Sequence, residues 1–362
     1  MNDIKYYDIR DDIEKYPDAW CFLIWSKRGP GKTYSTLRMC VEDDIPFIFI
    51  KRTIEDVNLL CDRKKLSEDV SDEDLSPFNP LNRDFGWDIY PFNITNKGLA
   101  GFYHAREDDD GELKPYGKIV GWILAASAVS KYKGFSLHKA DVLIFDEFIP
   151  KPWERVNKKE GDSVLDLYET VTRDRIKRGK PELKLICLAN ATDVHNPMFK
   201  TLQVVDIAAE MDILNREYTY LDDGTVLHFI PGDFDITDET KKTGIQKRME
   251  GTAWGIMAYG GHFGYNDFSN IGRTSLKGYR PICSVSYQKD NFYIWLKEGD
   301  YYMTKSRHNS DRIYNLNKEN DQKKFYIDYA LDLREACIDG RMLFETYSMY
   351  DLIVNYRKNF SL

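Results

Sequence analysis

The chain has 362 residues, of which 42% are hydrophobic and 14% aromatic, and its formal net charge is −8. This composition predicts a globular protein of two domains and argues against a basic coat for nucleic acid. No apolar run approaches the roughly 18 residues of a membrane span, and the six cysteines have neither zinc nor disulfide spacing, so we expect a soluble protein of a reducing cytoplasm with no membrane contact.

Short apolar runs in the first half of the chain predict the buried strands of a parallel sheet. They are WCFLIW at 20–25, PFIFI at 46–50, VLIF at 142–145 and LKLICLA at 183–189. Apolar residues at helical spacing lie between the last two runs: Val164, Leu167, Tyr168 and Val171. The acidic stretch REDDDGEL at 106–113 predicts a hairpin tip. Strands that alternate with helices indicate a doubly wound α/β sheet.

The pattern changes near residue 230, and 231–270 is predicted to be a connecting segment because it is rich in Gly, Asp, Thr and Lys. Beyond it, PICSVSYQ, NFYIWLKE and YYMTKS predict consecutive strands, and helical patterning follows from Phe325 to Asn359. We therefore expect one domain over 1–230 and a smaller α/β domain over 271–362. The smaller domain has 15 Lys and Arg against 12 Asp and Glu. Its net charge is therefore positive although that of the whole chain is negative, and this difference in sign suggests contact with DNA.

The octapeptide after the first strand predicts a phosphate-binding loop, because it joins a buried strand to a helix. Its residues are Ser26, Lys27, Arg28, Gly29, Pro30, Gly31, Lys32 and Thr33. Backbone N–H groups of the loop and the helix N-terminus can surround phosphates, and the two glycines permit their close approach. We expect Lys32 to reach the β- and γ-phosphates of ATP and Thr33 to bind Mg²⁺. The alternative is a Gly/Pro turn before a surface helix.

Two positions of this loop leave questions open. Ser26 stands where the usual pattern has glycine, which weakens a bare motif match, although serine is small and GxGKT follows intact. Arg28 is either a phosphate sensor or a loop arginine that faces solvent.

The run VLIF ends at two carboxylates, Asp146 and Glu147. At the carboxyl edge of a buried parallel strand, Asp146 would join Thr33 as a ligand of Mg²⁺, and Glu147 would orient and activate the attacking water. Because a kinase does not need the second residue, the pair favours hydrolysis over transfer to a substrate. The alternative is an ordinary strand end capped by solvated carboxylates.

Cations crowd the chain just before Pro181: Arg173, Arg175, Lys177, Arg178 and Lys180. They either complement the C-terminus of a helix or include an arginine finger, which would neutralise charge on the γ-phosphate of a neighbouring subunit and make hydrolysis depend on assembly.

Other polar residues allow two interpretations each. Asn190, after LKLICLA, could bond the attacking water or the γ-phosphate, or belong to a turn. Lys133, in KYKGF, could reach a nucleotide across a subunit boundary or be a solvated lysine. Lys51 and Arg52, after PFIFI, could contact DNA phosphates or snorkel at a strand end.

Together these segments resemble the double-stranded DNA packaging ATPases, or encapsidation proteins, of the small phi29-like podophages. The resemblance is carried, in order, by FLIWSKRGPGKTY, PFIFIKRT, GKIVGWILAAS, VLIFDEF, ETVTRDR and LICLANATDVHNP. It covers residues 1–230 well and the remainder weakly.

The resemblance implies a P-loop ATPase domain of the additional-strand, catalytic-glutamate (ASCE) class, related to large terminase motors, that uses ATP and Mg²⁺. It implies a homomeric ring, expected to be a pentamer, that docks on the prohead portal in the cytoplasm of the infected cell. Double-stranded DNA would thread its centre, and some relatives also need a prohead RNA. In the family, the arginine matching Arg173 is a finger that acts in trans, and the lysine matching Lys133 is a trans contact.

The resemblance further implies that the C-terminal domain is similar to the RNase H-type nuclease domain of large terminases and has lost cleavage. Its candidate first strand, CSVSYQ at 283–288, lacks the central carboxylate that a two-metal nuclease needs, although Asp290 and Asp300 are nearby. The expected function is ATP-driven translocation of viral DNA into a preformed capsid. The alternatives are a terminase with an active nuclease, which needs a carboxylate cluster in 271–362, and a nucleotide-gated, DNA-binding assembly protein without turnover.

Overall fold

The structure is a computed structural model that describes residues 6–62, 75–132, 137–173, 175–232 and 243–361. Lys133, predicted to contact a nucleotide in trans, lies outside these residues. The described chain forms two compact units. The first contains the residues up to Gln203 and those from Leu214 to Tyr265, and the second contains Val204–Ile213 and the residues from Asn266 onward.

A nine-stranded mixed sheet forms the first unit, in the order β3-β4-β5-β2-β6-β7-β1-β9-β8. Its strands are β1 (Cys21–Ser26), β2 (Phe47–Lys51), β3 (Ile89–Thr95), β4 (Leu99–Glu107), β5 (Leu113–Ala125), β6 (Val142–Asp146), β7 (Lys184–Asn190), β8 (Tyr218–Tyr220) and β9 (Thr225–Ile230). The six central strands, from β5 to β9, are parallel, and β3, β4 and β8 are antiparallel to their neighbours. Strand β7 therefore lies between β1 and β6.

Most of the helices in the first two thirds of the chain belong to the same unit as this sheet. They are α1 (Ile9–Lys15), α2 (Lys32–Glu42), α3 (Ile54–Cys61), α4 (Asn79–Phe85), α5 (Glu160–Thr172), α6 (Pro197–Thr201), α8 (Gly244–Met249) and α9 (Ala253–Gly255), while α7 (Val205–Ile213) belongs to the second unit. Shorter 3-10 turns cover Ala126–Tyr132, Leu137–Lys139 and Ile176–Arg178, and a π-helical turn covers Ile256–Gly260.

The four predicted strands are β1, β2, β6 and β7, and the predicted α/β sheet is confirmed. Their side chains are buried on both faces, as the continuous apolar runs require. Helix α5 buries its four predicted apolar residues, and the acidic segment does join the antiparallel pair β4 and β5. None of the helices in the described part of the chain is long and apolar enough to cross a membrane.

The second unit is built on a five-stranded sheet in the order β13-β10-β11-β12-β14. Its strands are β10 (Arg280–Tyr287), β11 (Asp290–Lys297), β12 (Asp300–Thr304), β13 (Ile313–Asn315) and β14 (Met342–Phe344). Its helices are α7, α10 (Glu319–Phe325), α11 (Leu331–Ile338), α12 (Tyr347–Val354) and α13 (Tyr356–Phe360), with a π-helical turn over Tyr326–Ala330. The three consecutive antiparallel strands were predicted. The edge strands β13 and β14 were not, and each pairs in parallel with its neighbour.

The helical patterning predicted from Phe325 to Asn359 is interrupted by β14. Helix α11 ends before Gly340, which has a φ of +70° that favours glycine, and the chain then enters the sheet beside β12. The units also divide the chain differently from the predicted boundaries. Helix α7 groups with the second unit, and the described part of the predicted connecting segment up to Tyr265 groups with the first.

Candidate active site

The predicted phosphate loop connects β1 to α2, since β1 ends at Ser26 and α2 begins at Lys32. Gly31 precedes the helix in the left-handed conformation, with a φ of +97° that a side chain would strain. No side chain caps the first turn of α2. Its N–H groups therefore keep the capacity to bind an anion, and the positive end of the helix dipole favours a phosphate.

Lys32 lies almost entirely inside the loop, with 8% of its surface exposed. Its ammonium group donates a hydrogen bond to the hydroxyl of Ser26 and lies 3.4 Å from the carbonyl oxygen of Lys27. Burial lowers the pKa of Lys32 to about 8, although the charge of Asp146 partly offsets the effect. Ser26, the departure from the usual pattern, thus supplies a polar partner for the buried lysine that glycine could not supply.

The hydroxyl of Thr33 donates a hydrogen bond of 2.8 Å to Oδ1 of Asp146. The two residues belong to α2 and β6, and Asp146 is the last residue of its strand, as predicted. A hydroxyl and a carboxylate oxygen are hard ligands of the kind that Mg²⁺ prefers when phosphates supply further oxygens. The donor set therefore fits the predicted magnesium site.

Glu147 follows β6 and has a backbone φ of +56°. This left-handed conformation costs a residue other than glycine about 1–2 kcal/mol, and such strain is concentrated at functional sites. Its side chain is 54% exposed, and its carbonyl oxygen accepts a 2.7 Å hydrogen bond from Arg52. The carboxylate of Glu147 is therefore open to solvent, where it can reach a water molecule, while its backbone is held.

A cleft of about 260 Å³ brings the predicted residues together. Its lining includes Gly29, Pro30, Gly31, Lys32, Thr33, Asp146, Glu147 and Asn190. Asn190 reaches the cleft because it ends β7 directly opposite Ser26 in the parallel register with β1. The predicted phosphate loop thus meets Asp146, Glu147 and Asn190 at the carboxyl edge of the sheet, where ligands of open α/β sheets bind.

Lys51 and Arg52 also belong to this site, which the sequence alone did not reveal. Burial alone would lower the pKa of Lys51, but the carboxylates of Asp146 and Glu147 more than compensate, so its pKa is raised. Nζ of Lys51 lies 3.0 Å from Oδ2 of Asp146. A basic pair at the carboxyl end of a strand was the available signal, but its use depends on β2 being the neighbour of β6.

Arg52 is held by three acceptors at once. Its guanidinium contacts Glu154 at 2.8 Å and Glu160 at 2.9 Å in addition to the Glu147 carbonyl. Glu160 is buried, which raises the pKa of its carboxyl although Arg52 opposes the shift. Because Glu160 begins α5, Arg52 ties the start of that helix to the backbone of Glu147.

The arginines after α5 have different environments. Arg175 is 3% exposed and donates to the Ala140 carbonyl at 2.8 Å, to the Pro181 carbonyl and to Asp141. Arg173, at the C-terminal end of α5, is exposed, and its side chain makes no hydrogen bond or ion pair within the described residues. Arg175 is therefore a structural residue, whereas Arg173 remains available to a partner.

The predicted connecting segment packs against the phosphate loop. The N–H of Arg28 donates to the carbonyl oxygen of Ala258 at 3.3 Å, and the exposed Arg28 guanidinium lies 5.9 Å from the Trp254 ring centre. A Cβ atom added to Gly261, whose φ is +75°, would lie 2.7 Å from the Lys27 nitrogen. Only glycine permits this close approach, so the segment is part of the loop's support.

A family model described as podovirus DNA encapsidation protein (Gp16) matches residues 113–343. Among curated proteins, the DNA packaging protein of Bacillus phage B103 is 28% identical over 252 residues, which are 68% of this chain and 66% of that protein. The DNA packaging protein of Bacillus phage PZA is 28% identical over 181 residues, half of each chain. The matched region thus spans only between half and about two thirds of these relatives' own length.

Two solved structures are similar to the chain over almost its whole length. The bacteriophage Phi-29 viral genome packaging motor assembly matches with a TM-score of 0.64 and 20% identity, over 98% of this chain and 99% of that one. The Phi-28 gp11 DNA packaging motor matches with a TM-score of 0.58 and 16% identity, over 99% and 98%. At these identities the similarity establishes a shared fold.

Proposed function

Because the chain belongs to the podovirus DNA encapsidation protein family, we propose that it hydrolyses ATP to drive viral double-stranded DNA into a preformed capsid. The observation that carries this proposal is the contact between Thr33 and Asp146 beside Lys32 and Glu147 in one cleft. These four side chains supply the parts that hydrolysis of a nucleoside triphosphate requires.

Each residue has a distinct task in this proposal. The Lys32 ammonium binds the β- and γ-phosphates, and backbone N–H groups of the loop and of the first turn of α2 surround them. Thr33 and Asp146 would hold Mg²⁺, which neutralises phosphate charge when it is bound. Glu147 orients and activates the attacking water, and Asn190 bonds that water or the γ-phosphate.

We place the first unit in the ASCE class of P-loop ATPases. The support is the position of β7, an additional strand between the loop strand β1 and the strand β6 that ends at Asp146, together with Glu147 as the catalytic glutamate. The second unit is proposed to be an RNase H-like domain that binds nucleic acid without cutting it. In support, β10 carries no carboxylate.

Turnover is proposed to depend on assembly into a homomeric ring, a pentamer, docked on the prohead portal in the infected cell's cytoplasm. The exposed Arg173 would approach the γ-phosphate of the neighbouring subunit and neutralise charge there. Lys133 is proposed as a second trans contact. A prohead RNA is a further proposed partner, with the portal and the double-stranded DNA.

The experiment compares ATP hydrolysis, with and without double-stranded DNA, in the wild type and in Glu147→Gln. We expect DNA to stimulate the wild type, and the variant to lose about a thousandfold in kcat while it still binds nucleotide. Glu169→Gln, which changes an exposed carboxylate of α5, is the matched control and should retain full activity.

Protection of DNA from nuclease inside purified proheads then tests packaging. A wild type without DNA-stimulated hydrolysis, together with an unchanged Glu147→Gln, would remove the proposed motor and favour a nucleotide-gated assembly protein. Cleavage of plasmid DNA with Mg²⁺ or Mn²⁺, abolished by changing Asp290 or Asp300, would instead indicate an active terminase nuclease.

A further inference from the structure

Two consecutive basic residues at the end of β2 face two consecutive acidic residues at the end of β6. Parallel pairing opposes Ile50 to Phe145, which brings Lys51 beside Asp146. Nζ of Lys51 lies 3.0 Å from Oδ2 of Asp146 and 3.8 Å from Oε2 of Glu147. The Lys51 and Asp146 side chains are 16% and 13% exposed, so little water screens their attraction.

Both oxygens of the Asp146 carboxylate therefore have a partner. Oδ1 accepts from Thr33 at 2.8 Å, and Oδ2 accepts from Lys51. Phosphate binding does not by itself require the second partner, because Lys32 already supplies the loop's ammonium group. A lysine is rarely this buried unless it is paired, and Lys51 is paired with two carboxylates. Since phosphate binding does not explain this pairing, Lys51 must have another role at the site.

The reason lies in the charge of the site without nucleotide. Two adjacent carboxylates, one of them bonded to a hydroxyl, form an oxygen-rich site that attracts a divalent cation. The Lys51 ammonium cancels one of those charges and repels a cation that approaches the same carboxylate. A bound triphosphate reverses the balance, because it adds several negative charges and further oxygen ligands.

We propose that Lys51 is an internal counter-ion that occupies the metal-binding carboxylate until nucleotide arrives, so that metal binding at Asp146 depends on the phosphates. This inference rests on the proposed function, since it takes Thr33 and Asp146 as the metal ligands. It makes Lys51 a positioning residue that acts through Asp146. The consequence is that metal enters together with nucleotide and does not occupy the empty cleft.

The test measures Mn²⁺ binding to the nucleotide-free full-length protein by electron paramagnetic resonance. We expect Lys51→Met, which keeps the apolar stem and removes the charge, to bind Mn²⁺ at least about tenfold more tightly than the wild type. Lys51→Arg keeps the charge and should match the wild type. With ADP present, the difference between Lys51→Met and wild type should shrink to about threefold or less, because the phosphates then supply the charge.

Lys184→Met is the matched control, since Lys184 is also a strand lysine of this sheet but donates to the carbonyl oxygens of Pro17 and Ala19. Its Mn²⁺ affinity should equal that of the wild type. The double variant Lys51→Met with Asp146→Asn should lose the gain in Mn²⁺ affinity, which would show that the metal binds at Asp146. Thermal unfolding shows whether Lys51→Met is folded, and Lys51→Gln replaces it if it is not.

A Lys51→Met or Lys51→Gln protein that binds Mn²⁺ no more tightly than the wild type overturns the inference. So does a gain that survives Asp146→Asn. Neither result bears on turnover, so failure here is distinguishable from failure of the proposed function, which the Glu147→Gln comparison decides.

Discussion

The Thr33 hydroxyl donates to Oδ1 of Asp146 at 2.8 Å, although 113 positions separate the two residues in the chain. The contact joins the first turn of α2 to the carboxyl end of β6 across the strand order β6-β7-β1. It fixes where a hydroxyl and a carboxylate can share one cation before any cation is present. Preorganisation of this kind lowers the cost of assembling a metal site.

Thr33→Ala should weaken the contribution of Mg²⁺ to nucleotide binding. Affinity for ADP in EDTA should change by less than about twofold, whereas the tightening that Mg²⁺ produces should fall about tenfold, because one of two protein ligands is lost. Thr33→Ser keeps the hydroxyl and should restore the response. Thr36→Ala is the control, since Thr36 is also a threonine of α2 but donates to the Lys32 carbonyl. A Mg²⁺ response unchanged in Thr33→Ala would contradict the assignment.

Nucleotide affinity should depend on pH through Lys32. In the nucleotide-free protein burial lowers its pKa to about 8, and phosphate oxygens favour the ammonium form, so the pKa is higher in the complex. Affinity for ADP, measured calorimetrically in EDTA, should be constant below that pKa and fall by up to about tenfold per pH unit above it. Binding should take up a proton in that range.

Lys32→Arg provides the control for this pH dependence, because a guanidinium stays charged throughout. Its affinity should be lower than that of the wild type but independent of pH. An affinity for ADP that is equally flat in the wild type would show that Lys32 is already charged in the empty loop.

Substitution of Arg175 should lower stability, whereas substitution of Arg173 should remove hydrolysis. Arg175→Ala leaves the Asp141 carboxylate and two carbonyl groups without their donor, so we expect a loss of about 2–3 kcal/mol in the free energy of unfolding. Arg173→Ala should leave that free energy unchanged and retain nucleotide binding, yet abolish DNA-stimulated hydrolysis. Denaturant titration and kcat measure the two effects.

Subunit mixing tests whether Arg173 acts in trans. Neither Arg173→Ala nor Glu147→Gln should hydrolyse ATP alone. A mixed ring places an intact Arg173 next to an intact Glu147 at some interfaces, so partial activity should return. If no mixing ratio restores hydrolysis, Arg173 is not the finger.

The sequence predicted the convergence of Lys32, Asp146, Glu147 and Asn190 because each follows or ends a strand with a continuous apolar run. Such runs indicate parallel strands, and the carboxyl ends of parallel strands meet at one edge. The role of Lys51 could not be predicted in the same way. It depends on which strand is the neighbour of β6, and strand order is set by long-range packing that no local pattern records.

The lack of an informative local pattern also explains why some elements were not predicted from the sequence. Strands β13 and β14 have three residues each, too few for a period of two to be distinguished from a helical face. The segment up to Tyr265 looked like a connection because it is polar and rich in glycine. Some of its glycines are instead required by close packing, as at Gly261 beside the phosphate loop.

Gly261→Ala should weaken nucleotide binding by displacing the loop. The added Cβ atom would lie 2.7 Å from the Lys27 nitrogen and 3.2 Å from the Ile230 carbonyl oxygen, so the backbone of Lys27 must move. Gly251→Ala is matched in backbone conformation, with a φ of +73° against +75°, but its Cβ atom meets nothing within 4 Å. Each variant should therefore lose about 1 kcal/mol of stability from left-handed strain, and only Gly261→Ala should lose affinity for ADP, by about tenfold. Equal affinities in the two variants would show that the loop keeps its shape without this support.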